Sequence, residues 1–187
     1  MLAPDYPVFT DRLGLRPLHP ADDVDAVHAY QSRPDVCRYV PYEPRSRAEV
    51  AERLRTARST LTEEGQTLWL AVVLRSTDEL IGDVMLFWRS AKHRGGEIGY
   101  VLNPSHQGHG YATEASRALL ALGFDGLGLH RVIARVDSRN TASANVLRRL
   151  GMRQEAHLVQ NEWFKGEWTD ELDFAVLEDE WRLLRER

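Results

Sequence analysis

The chain has 187 residues, 43% apolar and 28% charged, with 24 Lys and Arg against 28 Asp and Glu for a net charge of −4. These are the proportions of one globular domain, residues 1–187, long enough to bury a core. They exclude a disordered or collagen-like chain and argue against a protein that works by neutralising nucleic-acid phosphates. A lone cysteine, Cys37, excludes an internal disulfide and a thiolate zinc site, no apolar run approaches the roughly 18 residues of a membrane span, and Met1–Thr10 reads as no secretory leader, so a cytoplasmic location is expected.

In chain order, Arg12 to Leu18 alternates as a short strand and Ala21 to Gln31 carries Val24, Val27 and Tyr30 at helical spacing. Val40 to Pro44 is a breaker-rich loop. Ser46 and Glu49 have the spacing of a capping box, and the helix they open is expected to carry Val50, Leu54, Ala57 and Leu61 and to stop near Gly65. Leu68–Leu74 and Leu80–Trp88 read as a hairpin. Glu97–Leu102 is a strand halted by Asn103-Pro104, Tyr111–Phe124 the longest helix, and Val132–Val136 a strand. Asn140–Leu150 is a helix closed by Gly151, and Met152–Val159 and Trp168–Val176 are the last strands, around a Lys165-Gly166 turn. The expected fold class is mixed α/β: a twisted, mostly antiparallel sheet of six to seven strands flanked by about four helices.

The segment richest in chemistry is Tyr100 to Ala115, where a strand ends, Gly108-His109-Gly110 follows and a long helix begins at once. A helix start offers unpaired N–H groups and a partial positive charge, and glycines let backbone approach a bulky anion. That is a phosphate cradle without a basic side chain. A P-loop would need a Lys and a dinucleotide loop a third small residue where Thr113 stands. Spacing alone does not separate such a cradle from an ordinary strand-to-helix turn.

Tyr100 to Ala115 resembles motif A of the GNAT superfamily of acetyl-CoA-dependent N-acetyltransferases. Glu97-Ile-Gly-Tyr-Val-Leu102, Val136 to Ser143, Leu150-Gly-Met152 and Phe164 to Asp170 resemble its branch of ribosomal-protein N-terminal acetyltransferases, so the likeness runs from about Arg12 to Trp181. The resemblance implies a GNAT fold and acetyl-CoA as co-substrate, without a metal. It implies backbone amides of Gln107, Gly108, His109, Gly110, Tyr111 and Ala112 on the pyrophosphate with Thr113 beside them, and backbone of Val101 and Leu102 paired with the pantetheine arm. It further implies Asn140 on the pantetheine, Ser143 as the acid near the departing thiolate and Glu162 as a base. Three positions depart from the pattern: Ser105 stands at the first motif position, Leu147 where many relatives carry a tyrosine acid, and Phe174 where many relatives of this branch have Tyr.

The chemistry implied is direct transfer to a primary amine. An α-amine with a pKa near 8 is about 10% neutral at pH 7 and a lysine about 0.04%, so a protein N-terminus asks least of a base. Small amines such as polyamines, aminoglycosides or amino acids are the alternative acceptors, and a non-catalytic acyl-CoA-binding module is a third reading. Glu97 is a second carboxylate candidate whose plainer reading is an ion pair, and Ser143 and Asn140 could simply cap a helix. His106 and His109 are expected to face solvent or phosphate rather than a metal. Tyr39, Tyr42, Trp69, Trp88, Trp163, Phe164 and Trp168 are expected mostly in the core, with Tyr39, Tyr42 and Trp88 as candidates for an acceptor groove, and Cys37 as a buried small hydrophobe. A homodimer is expected from the resemblance.

Overall fold

Thr67–Leu74 is apolar at every position after the first, and its place in the fold explains why. In the computed structural model, which describes residues 1–185, this strand lies inside one sheet covered on both faces. Leu68, Leu70, Val72 and Leu74 join the core on one face, and Trp69, Ala71 and Val73 join the core on the other. A strand buried on both faces loses the apolar–polar alternation of a half-exposed one.

The strands are β1 (Val8–Phe9), β2 (Leu13–Pro17), β3 (Thr67–Leu74), β4 (Leu80–Ser90), β5 (Gly95–Leu102), β6 (Arg131–Asp137), β7 (Arg153–Phe164) and β8 (Glu167–Leu177). The helices are α1 (Val24–Gln31), α2 (Pro34–Cys37), α3 (Arg47–Arg55), α4 (Tyr111–Ala121), α5 (Thr141–Arg149) and α6 (Glu178–Arg185). The sheet order is β1-β2-β3-β4-β5-β6-β8-β7, antiparallel throughout except between β5 and β6. Residues of α4, α5 and α6 pack into the larger core, and residues of α1 and α3 into the smaller.

The mixed, mostly antiparallel architecture matches the sequence reading, with one more strand and two more helices than expected. The extra strand is the two-residue β1; the extra helices are the single turn α2 and the C-terminal α6, whose Trp181 stacks on Phe124 at 5.8 Å between ring centroids. The Ser46–Glu49 capping box is present in both directions. The helix it opens, however, ends at Arg55: Leu61 instead pairs with Leu2 through two backbone hydrogen bonds of 2.7 and 2.9 Å. Its apolar side chain was needed by the core, not by a helix face. Gly151 (φ +80°) closes α5 in a Schellman motif, with its N–H on the Arg148 carbonyl and that of Met152 on the Leu147 carbonyl.

One break in the sheet positions the site. The parallel pairing of β5 with β6 extends over only three residues, Gly95 to Glu97 against Arg131 to Ile133. Beyond it β5 stays with β4 as far as Leu102, and β6 stays with β8 as far as Asp137. The two strands part, and a wedge opens between them below the start of α4 and α5.

Candidate active site

At the mouth of the wedge the chain turns from β5 into α4 through Gly108 and Gly110, both at φ +81°. Gly110 is the N-cap of α4, and no side chain caps it. The N–H groups of Gly108, His109, Gly110, Tyr111, Ala112 and Thr113 meet no protein acceptor among the described residues. Six consecutive unpaired donors at the positive end of a helix form a strong anion site. Thr113 Oγ1 is buried and likewise has no hydrogen-bond partner among the described residues. The residues therefore fit a diphosphate group. A cleft of about 1270 Å³ continues from the loop along the outer face of α4, with Arg117 and Arg149 on its walls.

Gln107 behaves differently from the expectation. Its N–H is already spent on the Pro104 carbonyl at 3.2 Å, and its side-chain amide donates to the Leu102 carbonyl at 3.3 Å. Ser105 donates to Asn103 Oδ1 at 2.8 Å, so it serves the turn. From far along the chain Arg12 clamps the loop, donating to the His109 carbonyl at 2.9 Å while ion-paired with Glu114 at 2.6 Å. Burial works against ionisation of Glu114, but hydrogen bonds from Thr10 and Arg12 outweigh it and hold the carboxyl below its ordinary range. His106 turns to Glu79 at 3.4 Å and His109 stacks on Tyr111, so the two imidazoles do not converge. No group of three or more His, Cys, Asp or Glu placed to hold a metal ion occurs among the described residues.

Deeper in the wedge, the alternation of β5 decides which backbone groups are free. Asn103 N–H donates to the Ile81 carbonyl at 2.8 Å, so Asn103 and Val101 face β4 and Leu102 and Tyr100 face the opening. The Val101 carbonyl lies against Gly82, so of the two residues expected to pair with an incoming arm only Leu102 presents its N–H to the wedge. Across the opening, Asn140 caps α5 by accepting the Ser143 N–H at 3.1 Å. This is the capping role; its side-chain N–H₂ remains available as a donor. Ser143 meets a residue the sequence reading did not single out: the Tyr100 hydroxyl lies 2.7 Å from Ser143 Oγ and donates to the Ser143 carbonyl at 3.0 Å. Burial pushes the Tyr100 phenol up to about 12, against the Ser143 hydrogen bond. Leu147 and Phe174 are both buried core residues.

The opposite face of the sheet carries the carboxylates. Glu97 is held by Arg89 at 2.7 Å and Arg135 at 3.2 Å, the ion-paired arrangement. Glu162, on β7 opposite Thr169, is exposed. Glu171, on β8, was not anticipated. It is 9% exposed and accepts from Asn161 Nδ2 at 3.1 Å. Burial raises its carboxyl above the ordinary value; Arg135 opposes this, and the nearby carboxylates of Glu162, Asp173 and Glu97 add to it. The sequence around it gives little signal, since Glu171 is one of three acids, with Asp170 and Asp173, in the expected last strand Trp168–Val176.

The β7–β8 turn closes this side. Lys165 (φ +50°) and Gly166 (φ +88°) make a two-residue hairpin turn, and Lys165 Nζ reaches the carbonyls of Cys37 at 2.7 Å and Tyr42 at 2.8 Å. A hollow of about 260 Å³ lies there, edged by Arg38, Arg139 and Lys165 with Glu43 and Glu167. Tyr42 lies under the Arg45 guanidinium, whose carbon is 3.5 Å from the ring centre, and its own hydroxyl is buried with no partner among the described residues. Trp69 is buried and donates to Asp83 at 2.8 Å. Trp163 and Trp168 depart from the expected core placement: they are 62% and 57% exposed and lean edge-to-face on each other, because the hairpin that carries them runs along the sheet's last edge. Cys37 is buried, donates to the Gln31 carbonyl at 3.3 Å, and has its thiol pushed up by burial.

Residues 12–153 match the family model described as an acetyltransferase (GNAT) domain. The uncharacterized N-acetyltransferase YnaD of Bacillus subtilis is 34% identical over 159 residues, covering 85% of this chain and 90% of its own. The crystal structure of a GNAT-family acetyltransferase from Bacillus anthracis is similar at a TM-score of 0.83 and 31% identity, covering 91% of this chain and 98% of its own. The spermidine N(1)-acetyltransferase of Escherichia coli is 26% identical over 109 residues, covering 58% of this chain and 59% of its own.

Proposed function

The chain belongs to the acetyltransferase (GNAT) family, and on that premise we propose that it transfers the acetyl group of acetyl-CoA directly to the α-amine of a protein N-terminus. N-acetyltransferase activity with acetyl-CoA as donor comes with the family. The observation that carries the site assignment is the row of six unpaired amides, Gly108 to Thr113, at the mouth of the β5–β6 wedge. These amides and Thr113 Oγ1 bind the diphosphate, and the free edge of β5 at Tyr100 and Leu102 pairs with the amide-bearing arm. The donor supplies a thioester carbonyl. Leu102 N–H is the donor that polarises it, an oxyanion-hole role. Ser143 hands a proton to the sulfur as the C–S bond breaks and takes back the proton that the attacking nitrogen sheds, so that the serine ends the step neutral.

On the acceptor side the amine must arrive neutral. Glu171 accepts its proton, with the exposed Glu162 at the entrance passing charge between Glu171 and solvent. A buried, raised carboxyl is a stronger base than an ordinary one, which suits an α-amine. Cys37, buried and raised, is no nucleophile, which supports direct transfer over an acetyl-enzyme. The cations at the rim do not choose between acceptors, because Arg139 is paired with Asp137 and Glu167 and Lys165 with Glu43; the preference for a peptide rests on the readier deprotonation of an α-amine. The reading also carries a cytoplasmic homodimer; the 12-residue β7, exposed along most of its length at the sheet edge, supports the second copy.

The test is a panel of acceptors with purified protein and acetyl-CoA: peptides beginning with Ser or Ala, the same peptides blocked at the N-terminus, and spermidine. Acetylation of the free peptides alone is expected. Preferential acetylation of spermidine would overturn the acceptor, the outcome that the Escherichia coli relative makes worth including. An acetylated enzyme trapped without acceptor would overturn direct transfer.

A further inference from the structure

Ser143 sits in the first turn of α5, where a hydroxyl normally turns back to its own backbone. Here it does not need to: the Ser143 N–H is already taken by Asn140 Oδ1 at 3.1 Å. The serine hydroxyl instead meets the Tyr100 hydroxyl at 2.7 Å, across the wedge from β5. Tyr100 comes three residues after the last β5–β6 pair, so the contact bridges two elements that the sheet no longer joins.

The phenol has one proton and two acceptors within reach, the Ser143 carbonyl at 3.0 Å and Ser143 Oγ at 2.7 Å. The choice decides what the serine can do. If the phenol donates to the carbonyl, the serine proton is held by the phenol oxygen and is not free for anything else. If the phenol donates to Oγ, the serine oxygen is satisfied as an acceptor and its own proton is released. A tyrosine at position 147 would have supplied a hydroxyl from α5 itself, but Leu147 is buried in the core and has none to give. The hydroxyl that meets Ser143 comes instead from the other wall of the wedge.

We propose that Tyr100 is the positioning residue of the leaving-group acid: by donating to Ser143 Oγ it turns the serine proton into the β5–β6 opening, where the departing sulfur collects it. This rests on the reading of Ser143 as that acid. Tyr100 touches no reacting atom. No proton leaves it; its hydrogen bond moves from a carbonyl to a hydroxyl as negative charge grows on sulfur, and a donor that is itself hydrogen-bonded is polarised in the same direction.

The test is a double-mutant cycle on full-length protein, read as kcat, acceptor KM and acetyl-CoA Kd. Tyr100→Phe keeps the ring and removes only the hydroxyl, so the wedge stays filled. Ser143→Ala is expected to lower kcat about a hundredfold and Tyr100→Phe about tenfold, with KM and Kd within about twofold of the parent. The double variant should lose no more than Ser143→Ala alone, because a residue acting through another has nothing left to position. Losses that multiply, or a Tyr100→Phe effect confined to acetyl-CoA Kd, would make the contact a brace and overturn the proposal. A Ser143→Ala variant with unchanged kcat would overturn the reading of Ser143 and this inference with it.

Discussion

The two sides of the wedge are made of different materials. The donor side is backbone: six amides from consecutive residues, 108 to 113, held by two glycines and a helix start. The side proposed for the acceptor is side chains gathered from afar: Arg38 from beside α2, Arg139 after β6, Glu162 on β7 and Glu171 on β8, with Lys165 of the β7–β8 turn reaching across to Cys37 and Tyr42. A backbone site depends on local conformation and tolerates almost any side chain except at its glycines. A side-chain site depends on where the strands and loops finally meet, so it can change its acceptor without disturbing the donor loop. This is the physical content of a fold shared by enzymes with different acceptors.

The sharpest break of this contrast is Glu171→Gln, which should lower kcat about a hundredfold while leaving acetyl-CoA affinity unchanged. Its pH dependence is specific. The carboxyl is raised by burial, so it must lose its proton above the ordinary carboxylate value before it can accept one. The parent rate therefore falls as pH drops through that raised value, and the acidic limb of the kcat/KM profile should vanish in the variant. Glu162→Gln, on an exposed residue, should cost less than about threefold; equal losses would move the base to Glu162.

Gly110→Val strikes the other side. At φ +81° a β-branched residue is strained, and straightening the turn would scatter the amides. Acetyl-CoA affinity by calorimetry should fall on the order of tenfold to a hundredfold, with acceptor KM unaffected. A smaller effect is expected for Lys165→Ala, which unties the hairpin from the Cys37–Tyr42 loop: acceptor KM should rise about fivefold, with acetyl-CoA Kd unchanged. A shift in Kd instead would mean that the two sides are mechanically linked.

The smallest effect belongs to the Arg12 clamp. Glu114 has a lowered native carboxyl, so its contribution is present above the unfolded value of about 4.3 and is lost as pH falls through the lower native one. Glu114→Gln should cost about 1 kcal/mol at pH 7 in denaturant melts, and the difference from the parent should shrink toward acid pH. A constant difference at all pH values would show that shape, not charge, holds the loop.

Much of the fold and half of the site were legible in the residues, because they are written over short stretches. The glycine spacing before Tyr111, the Ser46–Glu49 box, the Gly151 stop and the Lys165-Gly166 turn are each set by a few neighbouring residues and backbone sterics. Ser143 and Asn140 came into the site through the family resemblance, since their own spacing reads as helix capping. What stayed hidden depends on partners far along the chain. Leu61 reads as a helix position but is claimed by Leu2; Glu171 reads as one more charge in a final strand but is buried among carboxylates from other strands; Tyr100 reads as a strand aromatic until α5 brings Ser143 against it, 43 residues later.

Sequence by itself determined the local conformations, the glycine turn into α4 among them, since steric limits on φ act within a handful of residues. Only the tertiary structure decided the wedge, the burial of Glu171 and the contact of Tyr100 with Ser143. Strand pairing stops where β5 and β6 part for different neighbours, and burial and hydrogen-bond distance are properties of the packed chain rather than of any segment in it.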